Sequence, residues 1–246
     1  MSRTRIAHFA WLAVFAIAMA YLESAVVVYL RALFFPNGFT FPLPQMDRSI
    51  VITELGRELA TIVMLLAPAF MLARRSIERF AWFLFAFGVW DLFYYIWLKV
   101  LLGWPASLFD MDILFLVPVP WVGPVIAPCI VSVGFVLLAI TILRGVEVNS
   151  GFGLKPVEWT LLGSGAAMIL WSFMGDHLVH AVLQGGDPIN GGPAYMLKDS
   201  GLDAAFSWFY FLLGTALATG ALLCTWRRAT FRPVAPLSPS PMLKNP

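Results

Sequence analysis

Residues 80–102 read FAWFLFAFGVWDLFYYIWLKVLL, with Asp91 and Lys99 as the only charged positions. As a helix this stretch rises about 35 Å, enough to cross the roughly 30 Å hydrocarbon core of a bilayer. A helix packed on a soluble core would show a polar residue on its wet face in every turn. Here Phe, Trp, Leu and Val surround the axis, which fits lipid as the solvent.

The rest of the chain agrees with that reading. Of 246 residues, 60% are hydrophobic and 12% charged, and the mean hydropathy is +0.83. Soluble domains carry about 25% charged residues. The sequence predicts an all-α, polytopic integral membrane helix bundle with spans near 7–31, 50–73, 80–102, 122–144, 157–184 and 204–226. Residues 1–226 form one transmembrane domain in this reading, and 227–246 a disordered Pro/Ser-rich cytoplasmic tail. Ala18-Met19-Ala20 imitates a signal-cleavage site, but the apolar run resumes from Ala25 to Leu30, so an uncleaved first span is expected. A net charge of +2 without a basic stripe argues against a nucleic-acid partner. Cys129 and Cys224 fall within predicted spans and read as small apolar filler rather than as a disulfide.

Arg and Lys orient the bundle. Arg3, Arg5, Arg74, Arg75, Arg79 and Arg144 fall on one side, together with Lys155, Arg227, Arg228, Arg232 and Lys244. Arg31, Arg48, Lys99 and Lys198 fall on the other. This bias places both termini in the cytoplasm and the protein in the inner (cell) membrane as a multi-pass chain. Residues 103–121 are too apolar for a free loop and too rich in proline for a span, so an interfacial or re-entrant segment is expected there. Asp110 and Asp112 within it read as solvated or helix-capping residues. Residues 185–202, rich in glycine, read as a loop over the outer face.

The charges inside the spans carry the functional signal. Glu23, Glu54, Glu58, Asp91 and Asp176 are acidic, and Arg57 is the only base well inside a span. A charge at the bilayer centre costs at least about 2.5–3.5 kcal/mol, so such groups pair, hold protons or bind cations. Given the orientation, these residues and His177 and His180 all fall between the midplane and the outer surface. Glu54, Arg57, Glu58 and Thr61 share a helix face, as do Asp91, Tyr94, Tyr95 and Lys99, and as do His177, His180 and Gln184.

Carboxylate with imidazole is a common ligand set for zinc, iron or manganese. The metal ligands expected on this basis are Glu54, Glu58, Asp91, His177 and His180, with Glu23 and Asp176 as catalytic groups. A metal-dependent membrane enzyme acting on a lipid or other apolar substrate is the leading expectation. One alternative is a proton- or cation-coupled transporter, since acid and His chains also relay protons. The other is a non-catalytic subunit or assembly factor of a membrane complex, in which Glu54, Arg57 and Glu58 form a structural ion-pair knot with the first span. No HExxH, GxSxG or Walker A motif is present, and no GxGxxG opens a helix.

Overall fold

A computed structural model of the protein describes residues 2–35, 47–183 and 206–230. These residues contain six helices: α1 (Arg3–Phe34), α2 (Arg48–Leu72), α3 (Ser76–Leu102), α4 (Ile126–Val148), α5 (Pro156–Leu183) and α6 (Trp208–Thr230). Five of them, α1, α3, α4, α5 and α6, are long and apolar enough to cross a membrane. The chain is a helical bundle with the character of a multi-pass membrane protein. α2 has 25 residues, roughly 37 Å of helix. It carries Arg48, Glu54, Arg57 and Glu58 in its first half. Large apolar side chains such as Trp11, Leu59, Met71 and Phe209 are exposed on the outside of the bundle, as suits contact with lipid tails.

Local chemistry sets several helix ends. The Ser2 hydroxyl accepts from the Arg5 amide at 3.3 Å and caps α1. Pro156 opens α5, where its missing N–H has no intrahelical acceptor to lose. Glu158 then reaches back to the Lys155 amide at 2.7 Å, one half of a capping box. α3 stops at Gly103, whose φ of 66° is left-handed and favours a residue without Cβ.

α3 is the centre of one half of the bundle and packs on α1, α2 and α4; α6 joins α4 to α5. Small residues allow close crossings. A Cβ on Gly88 of α3 would lie 2.6 Å from the Ser132 carbonyl oxygen of α4. Cβ atoms on Gly165 of α5 and Gly214 of α6 would each lie within 2.7 Å of the other glycine's carbonyl oxygen. The core between α1, α2, α3 and α4 is apolar, with Ala16, Ala20, Leu65, Ala69, Ala86 and Ile142 all buried.

The helix ends sort by charge. Arg5 bonds the Leu143 carbonyl at 2.6 Å and lies 3.6 Å from Glu78. Arg228 pairs with the buried Glu158 at 2.8 Å. Arg75 bonds the Ser150 and Phe152 carbonyls. The start of α1 therefore lies at the same end of the bundle as the α2–α3 turn, the α4–α5 loop and the end of α6. This is called the basic end below.

The opposite end holds the main departure from an all-α expectation. Within 103–125 the chain forms a small antiparallel hairpin, β1 (Met111–Ile113) against β2 (Val122–Pro124), in which Asp112 pairs with Gly123. Val122 to Pro124 belong to this hairpin, so α4 starts at Ile126 and not near residue 122. The hairpin is tied down on both flanks. Lys99 donates to the Gly103 and Pro105 carbonyls at 3.1 and 2.7 Å. On the far side the Phe173 ring of α5 occupies the space that a Cβ on Gly123 would need. The expected outer loop at 185–202 lies outside the described residues; of the tail expected to be disordered from residue 227, Arg227 to Thr230 instead continue α6, and the rest lies outside the described residues.

Candidate functional site

Three helices and the hairpin enclose a cavity of about 140 Å³ at the end opposite the basic end. This is close to the roughly 150 Å³ cavity known to hold a benzene molecule. α1 contributes Glu23, Val27, Leu30 and Arg31; α2 contributes Ile50, Val51, Glu54, Arg57 and Glu58. The floor comes from α3, through Trp90, Asp91, Tyr94 and Tyr95. The hairpin segment from Asp112 to Leu116 covers it. α1 and α2 touch each other far less than either touches α3, and Val27, Leu30, Ile50 and Val51 give the cavity its apolar lining on these two helices.

The polar groups fall into four clusters. Arg57 bonds Glu23 of α1 and Glu54 one turn earlier on α2, and the Thr61 hydroxyl donates to Glu23 at 3.1 Å. This is the ion-pair knot between the first two helices. Glu58, buried, accepts from the Leu116 amide of the hairpin, with both oxygens at 3.0 Å. Asp91, also buried, accepts from the Ser132 hydroxyl of α4 at 2.7 Å. Asp112 accepts from the Tyr95 hydroxyl at 3.1 Å.

Asp112 corrects the sequence-based expectation. It is 5% exposed, neither solvated nor a helix cap. Burial pushes its carboxyl up to about 6, against the opposing pull of the Arg31 charge, its backbone hydrogen bond and the Tyr95 hydroxyl. Asp110 caps no helix either: its carboxylate accepts from the Ala106 and Ser107 amides at 2.7 and 3.2 Å and closes a turn after α3. Arg31 also belongs to the site, with its guanidinium 4.2 Å from the centre of the Trp104 ring. Lys99, expected on the Asp91 stripe, instead serves the carbonyls that follow α3.

Of the seven residues singled out as catalytic or metal-ligating, Glu23, Glu54, Glu58 and Asp91 line this cavity. The α5 residues do not. α5 packs on α6 and on β2, and among the described residues its backbone makes no close approach to α1, α2 or α3. His177 is buried one turn beyond Phe173, and Asp176 is exposed. The side chain of His180 lies outside the described residues. Similar depth along the helix axis does not bring these groups together, because depth says nothing about which neighbour a helix chooses. Among the described residues no group of three or more His, Cys, Asp and Glu side chains is placed to hold one metal ion.

One further wall residue bears on ligand chemistry. Trp90 is 4% exposed, and its indole N–H has no acceptor among the described residues. Its ring packs among Phe87, Tyr94 and Phe115, with centroids 5.4, 6.2 and 6.4 Å away. No protein-family model, curated protein or solved structure matches this chain, and the cavity's own chemistry is the guide to function.

Proposed function

We propose that the protein is a six-span membrane protein with both termini cytoplasmic. In this reading its cavity, in the outer half of the bilayer, binds the polar head of a lipid-like molecule. One observation carries the reading: the chamber combines charged and aromatic residues with an apolar lining of Val27, Leu30, Ile50 and Val51, where α1 and α2 make few contacts with each other. A polar head would occupy the chamber while an acyl or alkyl chain leaves between the two helices into lipid. Ligand sites pair a few placed polar groups with apolar walls in this way. The orientation is supported by the excess of Arg and Lys at the basic end.

The arrangement gives less support to the readings that compete with it. A zinc, iron or manganese centre would draw on His177 and His180, which belong to the α5–α6 side of the bundle. A metal held by Glu54, Glu58 and Asp91 alone would have only oxygen ligands, the chemistry of magnesium or calcium. A transporter needs a polar route to the basic end, and there the core is closed by Ala16, Leu65, Ala69 and Ile142.

Native mass spectrometry of the protein extracted in a mild detergent tests the proposal. We expect a lipid-sized adduct on the wild type that is lost in Val51→Trp, a variant that fills the cavity from its apolar side. Persistence of the adduct in that variant, or a stoichiometric metal ion in its place, would overturn the reading.

A further inference from the structure

We infer that the first half of α2 is a hinged arm, which closes the cavity and swings away from α1 to admit its occupant. The arm's role as a gate rests on the reading of the cavity as an amphiphile site. What α2 buries changes along its length. From Leu65 onward the helix is fastened by packing: Leu65 and Ala69 belong to the apolar core, as does Ala73 directly after the helix. Before Leu65 the residues that α2 buries are Glu58 and Thr61, and polar side chains hold it. Arg57 and Thr61 bond Glu23 of α1, and Glu58 accepts the Leu116 amide of the hairpin. A hydrogen bond exchanged for one to water or to a polar head costs little net free energy. Such latches release where close packing does not.

The helix is weakest where these two kinds of fastening meet. Pro68 lies inside α2, between Leu65 and Ala69. It has no N–H to give the Met64 carbonyl, and its ring crowds that oxygen. Sharp helix bends concentrate at such prolines. Ile50, Val51, Glu54, Arg57 and Glu58, which line the cavity, all precede this point, so a bend here moves one wall of the cavity as a unit. Few contacts join α1 to α2, and little packing opposes their separation. About 24 Å of helix lies between Ile52 and Pro68. A bend of about 20° therefore carries Ile52 through about 8 Å.

The test measures distances between spin labels by pulsed electron paramagnetic resonance, on the full-length protein in nanodiscs, in a Cys129→Ala/Cys224→Ser background. Leu33→Cys and Ile52→Cys label exposed positions of α1 and α2 at the cavity end, and Ile6→Cys and Met71→Cys do so at the basic end. Loosening the latches with E23Q/E58Q should populate a cavity-end distance about 8 Å longer and leave the basic-end distance unchanged. Pro68→Ala, which restores the missing N–H, should cut that longer-distance population by about threefold or more. A cavity-end distance that does not move would overturn the hinge. So would both pairs moving together, or a long-distance population indifferent to Pro68→Ala. If E23Q/E58Q does not fold, the protein with intact latches decides. Its cavity-end distances should be more broadly spread than its basic-end ones and should narrow in Pro68→Ala; equal spreads would overturn the hinge. A moving arm on a protein that carries no lipid-sized adduct would overturn the amphiphile reading and keep the hinge. An adduct on a protein whose arm stays still would overturn the hinge alone.

Discussion

Glu58 of α2 holds the Leu116 amide of the hairpin segment with both carboxylate oxygens, each at 3.0 Å. The hairpin is continuous in sequence with α3 and α4 but not with α2. Glu58 therefore ties α2 across the top of the cavity. Replacement by alanine leaves the Leu116 N–H without its partner, at a cost of about 1–3 kcal/mol. Residue-resolved hydrogen exchange should show faster exchange at Leu116 in Glu58→Ala. The Leu114 amide, bonded within the hairpin to the Trp121 carbonyl at 2.9 Å, should keep its protection. Unchanged exchange at Leu116 would mean that α2 does not hold the hairpin.

Ser132 reaches Asp91 only because α3 and α4 cross closely at Gly88. An added methyl there would meet the Ser132 carbonyl at 2.6 Å and Val136 at 2.9 Å. Backbone cannot yield as a flexible side chain can, so Gly88→Ala should destabilise by about 1–3 kcal/mol. Gly134→Ala on α4 is the control: its Cβ would meet nothing within 4 Å, and alanine gains up to about 1 kcal/mol of helix propensity. Thermal unfolding in detergent should move the two variants in opposite directions.

Arg57 neutralises Glu23 and Glu54 together. Its side chain is 21% exposed, and theirs are 11% and 15% exposed, so the three charges are largely withdrawn from solvent. Arg57→Met strands two carboxylates and should cost about 3–5 kcal/mol. Adding Glu23→Gln and Glu54→Gln removes the stranded charge and should restore most of the loss. Equilibrium unfolding of the single and triple variants checks this; a triple variant no better than Arg57→Met would contradict the pairing.

Asp112 makes stability depend on pH with a definite sign. Its folded carboxyl titrates at about 6, above the usual 3.8, so the folded state binds this proton more tightly than the unfolded chain. The resulting stability is complete below about pH 4 and is lost as pH rises through about 6. Asp112→Asn keeps an oxygen for the Tyr95 hydroxyl and removes the titration. The melting-temperature difference between variant and wild type should grow in the variant's favour from pH 4 to pH 7. A constant difference would show that Asp112 is not the titrating group.

The helices were legible because a run of some twenty apolar residues has few other uses. That Glu23, Glu54, Glu58 and Asp91 share a level along their helices was legible too, since rise per residue is fixed, and all four line one cavity. Two features were not. The hairpin is built from strands of three residues, too short for the alternation of Met111, Asp112 and Ile113 to register. Its pairing, which sets Asp112 opposite Gly123, is what brings that carboxylate beneath the fold. The second is the azimuth of α5. Nothing in the spacing of Asp176, His177 and His180 says that their helix packs on α6 and β2 rather than on α3. That choice follows from Gly165 meeting Gly214 and from the Phe173 ring filling the space above Gly123.

The most direct test of the central claim is an electron cryomicroscopy map of the full-length protein in lipid nanodiscs, with a bound antibody fragment to aid alignment. Continuous non-protein density is expected between α1 and α2, its compact end within contact distance of Asp91, Asp112 and Trp90 and its tail running past Val27 and Val51. A map in which α1 and α2 pack tightly together, with side chains filling the space between Glu58 and Asp112, would contradict it.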